Sequence, residues 1–396
     1  MKKFELVIVG GGLASARAIK SFRDAGGEGS IALFSKDATL PYHRPPLSKK
    51  FLRGETNEEP LVEDEAFYAS NGVEVLLETE VSSVDTRERV VQVDSDRIGF
   101  GKLLLASGAW PRRLPVPGAD LDGVFTLRTV ANSKAIREAA AAVERGAVVG
   151  AGFIGMEVAA SLRQIGKDVS IVHLGRWLFD QLGVEQLSDE LAALYDSNGV
   201  RLVLGNEVDS FEGNGRVEAV TTKNGRRVEA QLVVVGVGVD PVTDFLEGSG
   251  IELENGIVVN ERFETNVPGV YAVGDVARFF DPLFQKRRRI EHWSNANYQG
   301  TEVGKVLAAA EGGYDRISEF FTEIFGITIR VFGLAGRECQ VVVHGSLLDG
   351  KLYALYADEK EEVIGALSVG QPEEIEELVK QQIAAHAPLR ELGTSL

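Results

Sequence analysis

Short apolar, β-branched runs that end on glycine and give way to a helical spacing recur along this chain. Residues 4–10 are one such run, and residues 13–22 carry the apolar periodicity of a following helix. Ser30-Ile31-Ala32-Leu33-Phe34 predicts the next strand, ending near Asp37, and residues 102–105 another that closes on Ala106-Ser107-Gly108. A proline-rich stretch (Pro111, Pro115, Pro117-Gly118) marks a domain crossing. The series then repeats: a helix around 131–144, a strand at 147–149, a helix over 155–165 and a strand at 168–172. Residues 232–235 form a buried strand ending on Gly236-Val237-Gly238, and Asp240-Pro241 marks a second crossing. Residues 270–275 are a strand with an aspartate at its carboxyl end. From about Asp315 the pattern becomes antiparallel, with strands at 327–332, 339–344, 351–356 and 362–368 and a helix over 372–385.

Two glycine-rich strand-to-helix turns dominate this pattern. The first is Val9-Gly10-Gly11-Gly12-Leu13-Ala14-Ser15 and the second Val149-Gly150-Ala151-Gly152-Phe153-Ile154-Gly155. In such turns glycine permits the tight bend, lets backbone approach a pyrophosphate, and lets helix pack on strand. The diphosphate then meets free N–H groups at the positive end of the helix dipole. Asp37 follows the first turn at the distance of a ribose-binding acid. The expected architecture is α/β, with two Rossmann-like dinucleotide-binding domains, one inserted in the other, and a C-terminal α+β domain. The first spans 1–112 and 240–314, the inserted one 113–239, and the last 315–396.

Composition narrows the functional classes. A net charge of −17 argues against nucleic acid as a general partner. No apolar run is long enough for a membrane span, and the first strand begins almost at Met1, which predicts a cytoplasmic protein. The single cysteine, Cys339, rules out an intramolecular disulfide and a cysteine-based zinc site; it is expected to be a small buried apolar residue. The one dense basic run is Lys286-Arg287-Arg288-Arg289.

These turns, together with Pro41-Tyr42-His43-Arg44-Pro45-Pro46-Leu47-Ser48-Lys49, Ala106-Ser107-Gly108, Gly155-x-Glu157, Gly236-Val237-Gly238, Val273-Gly274-Asp275 and Glu291-His292-Trp293 with Asn295-Ala296, are similar to the FAD-dependent pyridine-nucleotide oxidoreductases of glutathione-reductase-like fold. Within them the chain resembles the ferredoxin reductases of oxygenase systems, over roughly residues 5–310. The resemblance implies FAD at Gly10, Gly12, Leu13, Ala14, Ser15, Asp37, Arg44, Pro46, Lys49, Ala106, Ser107, Gly108, Gly274, Asp275, Glu291, His292, Trp293 and Ala296. It places Asp275 on the ribityl chain, and Lys49 near flavin N5, paired with Glu157. A cation there would stabilise the charge of a reduced flavin. NAD(P)H is implied at Gly150, Gly152, Phe153, Ile154, Gly155, Glu157, His173, Arg176, Val237 and Gly238.

Two departures from the family pattern matter. The second unit ends its second strand on His173, where NAD users often place glutamate, with Arg176 close behind. A neutral histidine suits a ribose and an arginine a 2′-phosphate, so the choice between NADH and NADPH stays open, leaning to NADH. The family's Phe-Trp-Ser-Asp-Gln-like stretch reads Phe320-Phe321-Thr322-Glu323-Ile324, leaving Phe321 to cover the flavin or to join the core. The region where disulfide reductases carry their redox cysteines holds none, so electrons would leave the flavin for an external acceptor. A [2Fe–2S] ferredoxin is expected, docking near Lys286–Arg289 by charge. The alternatives are rubredoxin, a quinone or oxygen as acceptor, or a redox sensor resembling apoptosis-inducing factor.

Overall fold

The computed structural model describes residues 1–392, so the last four residues of the expected C-terminal domain lie outside the described residues. The chain packs as two compact units. One comprises Met1–Arg44, Glu59–Trp110 and Val239–Arg316. The other comprises Pro45–Glu58, Pro111–Gly238 and the chain from Ile317 onward.

The first unit is built on a seven-stranded sheet. Strand Lys2–Val9 lies between Ile31–Phe34 and Asp96–Leu105, parallel to both, and Val73–Leu76 extends the sheet beyond Ile31–Phe34. Val270–Ala272 pairs parallel with the end of Asp96–Leu105, and the antiparallel hairpin Val81–Asp85/Val90–Val93 pairs with its start. Ile31–Phe34 is buried at every position, the signature of a central parallel strand covered on both faces. Helix Leu13–Asp24 packs against Trp293–Leu307. Their close approach depends on two glycines: a Cβ on Gly300 would fall 2.4 Å from the Ala14 carbonyl oxygen, and one on Gly304 2.6 Å from that of Ala18.

The second unit holds a five-stranded parallel sheet in the order Val200–Leu204, Asp168–His173, Arg145–Val149, Leu232–Val235, Val124–Thr126. Helix Val130–Ala141 is closed at its start by a Thr129–Asn132 capping box, and Phe153–Gln164 follows the second glycine turn. A three-stranded antiparallel meander spans Val208–Glu229. The C-terminal region forms an antiparallel sheet in the order Glu319–Ile324, Ile327–Gly333, Val363–Val369, Lys351–Ala357, Gln340–Ser346, joined by helix Glu373–Ala384. The α/β class and the C-terminal α+β region are as the sequence predicts. Among the described residues no helix is long and apolar enough to cross a membrane. Cys339 corrects one expectation: it is only partly buried, because it sits in a turn whose N–H donates to the Gly336 carbonyl just before an edge strand.

The glycine contacts yield a stability prediction. In an unpacked helix Gly304→Ala would stabilise by about 1 kcal/mol through helix propensity. Here the added carbon meets backbone, so the variant is expected to lose about 1–3 kcal/mol by overpacking, measured by denaturant unfolding.

Candidate functional site

Gly10 follows Lys2–Val9 with φ of 115°, and a Cβ there would lie 2.2 Å from the Ala106 carbonyl oxygen. Only glycine can make this turn. It aims Gly12 at the start of helix Leu13–Asp24, where no side chain caps the first turn and no acidic residue occupies it. The exposed N–H groups and helix dipole form an anion site. Arg44 brings its Nη1 to 3.4 Å from the position a Gly12 Cβ would take, so a cation stands beside that site. At the end of Ile31–Phe34, Asp37 accepts from the Tyr42 hydroxyl at 2.6 Å and from the Thr39 N–H at 3.3 Å. An ionised carboxylate has acceptor capacity beyond these two bonds.

The carboxyl ends of the neighbouring strands converge on the same region. Ala106, Ser107 and Gly108 follow Asp96–Leu105; Ser107 donates to the Val242 carbonyl, and Gly108 adopts φ of 71°. Gly274 and Asp275 follow Val270–Ala272, and the Gly274 N–H donates to Gln299 at 2.8 Å. His292 stands at the N-cap position of helix Trp293–Leu307 and is partly buried; desolvation lowers its pKa to about 4 despite the opposing pull of Asp275, with Arg288 lowering it further. The imidazole is therefore neutral at the positive end of its helix. Trp293 donates from Nε1 to His43 Nδ1 at 2.9 Å, and Ala296 packs against the first unit's core. The bare helix start, the glycine cradle, the adjacent arginine and the strand-end acid fit a dinucleotide such as FAD.

The second unit repeats the cradle. Gly150 has φ of 106° and would collide with the Gly236 carbonyl; Gly152 opens onto free space, and Gly155 lies against Gly150. Helix Phe153–Gln164 also starts without a side-chain cap. Val237 and Gly238 follow Leu232–Val235, and Gly238 accepts from the Arg112 N–H. Phe153 packs its ring on Phe179 and Phe320, and Ile154 is exposed. His173 accepts the Ala151 N–H on Nδ1 at 3.3 Å, and Arg176 is exposed. This cradle fits a second dinucleotide by the same criteria.

Pro46 and Lys49 belong with this second unit, Pro46 in the short 3₁₀ turn Pro45–Ser48. Lys49 Nζ meets Glu157 Oε2 at 2.7 Å, with 12% and 5% of the two side chains exposed. The same oxygen accepts from Ser48 Oγ at 2.5 Å, and Oε1 accepts from Thr322 Oγ1 at 2.7 Å. The carboxylate thus has one charged and two hydroxyl donors, which offset its desolvation. The Ser48 and Thr322 contributions escaped the sequence reading. Ser48 was signalled only by lying beside Lys49. Phe321 points outward, 44% exposed, and is not core.

The basic run does not survive intact as a surface patch. Arg288 pairs at 2.8 Å with Asp281, a carboxylate with no exposed surface, and Arg289 pairs with Glu291 and donates to the Asp275 carbonyl. Lys286 and Arg287 remain exposed on the hairpin. No metal-binding cluster of His, Cys, Asp and Glu occurs among the described residues.

Thr322→Val should cost about 1.5–3 kcal/mol, the range for a hydrogen bond to a charged group, whereas Thr322→Ser should retain most of it. Denaturant unfolding of the two variants checks this.

Residues 4–300 match the family model for pyridine nucleotide-disulphide oxidoreductases. The chain is 35% identical over 375 residues to human apoptosis-inducing factor 3, covering 92% of this chain but only 60% of that protein. It is 32% identical over 364 residues to the ferredoxin–NAD(+) reductase subunit of the benzene 1,2-dioxygenase system of Pseudomonas putida, covering 89% of this chain and 88% of that one. The solved covalent putidaredoxin reductase–putidaredoxin complex superposes with a TM-score of 0.92 at 30% identity, covering 98% and 94% of the two chains. With its paired glycine cradles and a family match running through both, this chain belongs to the pyridine nucleotide-disulphide oxidoreductase family.

Proposed function

We propose that this protein is a flavin-dependent NAD(P)H–ferredoxin oxidoreductase, passing electrons to a small iron–sulfur protein that serves an oxygenase. The observation that carries this reading is the pair of bare, glycine-cradled helix starts in a chain whose single cysteine lies in neither. Two dinucleotides can bind, and no dithiol can take the electrons onward. FAD, when bound, supplies the conversion between two-electron nicotinamide chemistry and one-electron iron–sulfur chemistry.

The residues divide this work. The first cradle, with Arg44 and Asp37, holds the FAD diphosphate and ribose, and Asp275 holds its ribityl chain. The second cradle holds the nicotinamide dinucleotide. Lys49, fixed by Glu157, provides a positive charge for the flavin ring. Fixing the ammonium in advance avoids reorganisation when negative charge develops. The proposed domains follow these roles: residues 1–112 and 240–314 for FAD, 113–239 for NAD(P)H, and 315–396 as the C-terminal domain. A cytoplasmic location agrees with the absence of a membrane-crossing helix among the described residues.

The test is NAD(P)H-driven cytochrome c reduction with and without an added [2Fe–2S] ferredoxin. Strong ferredoxin-dependent stimulation is expected. Rapid flavin reduction that no ferredoxin stimulates would point to rubredoxin, a quinone or oxygen instead. Reduction with scarcely any turnover would favour a redox sensor, a reading supported by the similarity to apoptosis-inducing factor 3.

Docking of an acidic ferredoxin falls to Lys286 and Arg287, since Arg288 and Arg289 spend their charge on internal carboxylates. Lys286→Glu with Arg287→Glu should raise the apparent KM for ferredoxin several-fold at low ionic strength, an effect fading as salt screens it. Steady-state kinetics across a salt series measures this.

A further inference from the structure

The strand that should end on a ribose-binding acid ends on His173, yet the structure returns a carboxylate to the same place. The chain leaves Asp168–His173, passes Gly175, and turns back through Phe179, which is left-handed at φ of 50°, into the short 3₁₀ turn Asp180–Leu182. This return is pinned to the glycine turn: the Phe179 N–H donates to the Ala151 carbonyl at 3.1 Å, while the Ala151 N–H donates to His173 Nδ1. Asp180 Oδ2 comes to 3.6 Å from His173 Nε2, too long for a hydrogen bond. A Cβ on Gly175 would lie 2.6 Å from both atoms, so glycine is what allows the two side chains to meet.

Two polar groups here lack hydrogen-bond partners. His173 Nε2 is buried without one. Because Nδ1 accepts a backbone N–H, the proton of the neutral ring sits on Nε2, presenting a donor. Asp180 Oδ1 has no hydrogen-bond partner among the described residues, while Oδ2 is held by Arg337 of the C-terminal region. Arg337 also donates from Nε to the Asp180 carbonyl at 2.5 Å, and Gly183 packs against the Arg337 backbone. Donor and acceptor stand side by side at the strand end, fixed from two directions. A vicinal ribose diol, whose hydroxyls both donate and accept, matches that pairing. A 2′-phosphate would meet the Asp180 carboxylate instead.

Resting on the reading of this cradle as a nicotinamide-dinucleotide site, we propose that Asp180, braced by Arg337, receives the adenosine ribose hydroxyls in place of the missing strand-end acid and selects NADH over NADPH. Arg176, exposed nearby in the chain, is the competing determinant, since it would favour a 2′-phosphate.

The experiment titrates the FAD-loaded protein with 5′-AMP and with adenosine 2′,5′-bisphosphate by calorimetry, alongside KM values for NADH and NADPH. Wild type should bind 5′-AMP more tightly. Asp180→Asn should weaken 5′-AMP binding about tenfold, the loss of a charge-assisted hydrogen bond, and narrow or reverse the nucleotide preference. Arg337→Ala should shift both in the same direction by a smaller factor, with Arg337→Lys restoring part of it. Arg337 is 57% exposed, so its variants test the idea even if Asp180→Asn does not fold. Unchanged 5′-AMP affinity and nucleotide ratio in folded Asp180→Asn, or unchanged values in Arg337→Ala, would overturn the proposal while leaving the reductase reading intact. So would a wild-type preference for the bisphosphate. A wild type that binds neither nucleotide and is reduced by neither cofactor would overturn both.

Discussion

A single carbon added at Gly10 or Gly150 would strike the backbone of the neighbouring strand, at 2.2 Å from the Ala106 oxygen and 2.3 Å from the Gly236 oxygen. Both units therefore rest on one steric constraint, met twice. It fixes the direction in which each helix leaves its sheet, and both helices start with a glycine and no capping side chain. Thr129 and Asp64 cap their helices with side-chain oxygens, whereas helices Glu185–Ser197, Trp293–Leu307 and Glu373–Ala384 also start without a side-chain cap. What sets the two proposed dinucleotide sites apart is the bare start combined with a glycine-forced turn, which leaves free N–H groups beside backbone that only glycine can bring so close.

The second constraint is electrostatic. Burying Glu157 and Lys49 together costs several kcal/mol per ion in desolvation, and their attraction offsets this only with good geometry and further donors. The further donors are Ser48 and Thr322, so the ion pair is positioned from three separated stretches of the sequence. Helix Phe153–Gln164 carries the carboxylate, so the residue that holds Lys49 is set on the same rigid element that follows the second cradle. In this way the C-terminal region contributes to the site through a hydroxyl rather than through the exposed aromatic ring of Phe321.

Much of this was legible in the sequence, and the exceptions share causes. Parallel strands such as Ile31–Phe34 and Leu232–Val235 are covered on both faces and read as unbroken apolar runs. Strand Glu319–Ile324 was missed because its polarity is inverted, with Thr322 facing in and Phe321 facing out. The inward threonine is explained by Glu157, a partner 165 residues away that no local pattern could announce. Helix Trp293–Leu307 was obscured by Gly300 and Gly304, which weaken helix propensity yet serve the packing on Leu13–Asp24. The acid proposed for the ribose site was hidden in the same way. Sequence spacing looks for it at the strand end, whereas Asp180 reaches that place only through the turn at Phe179.

Charge is the property that linear reading handles worst here. Four consecutive cations suggest a docking face, but the buried Asp281 draws Arg288 inward. Arg289 is likewise held beside Glu291 and the Asp275 carbonyl, where it steadies the strand end expected to meet the ribityl chain. The run therefore splits into two exposed charges available for long-range attraction and two that organise the unit internally. In a chain of net charge −17, attraction of an acidic partner must come from such local exceptions, since the overall field repels it. Ionic-strength dependence should accordingly be modest, set by two charges rather than four.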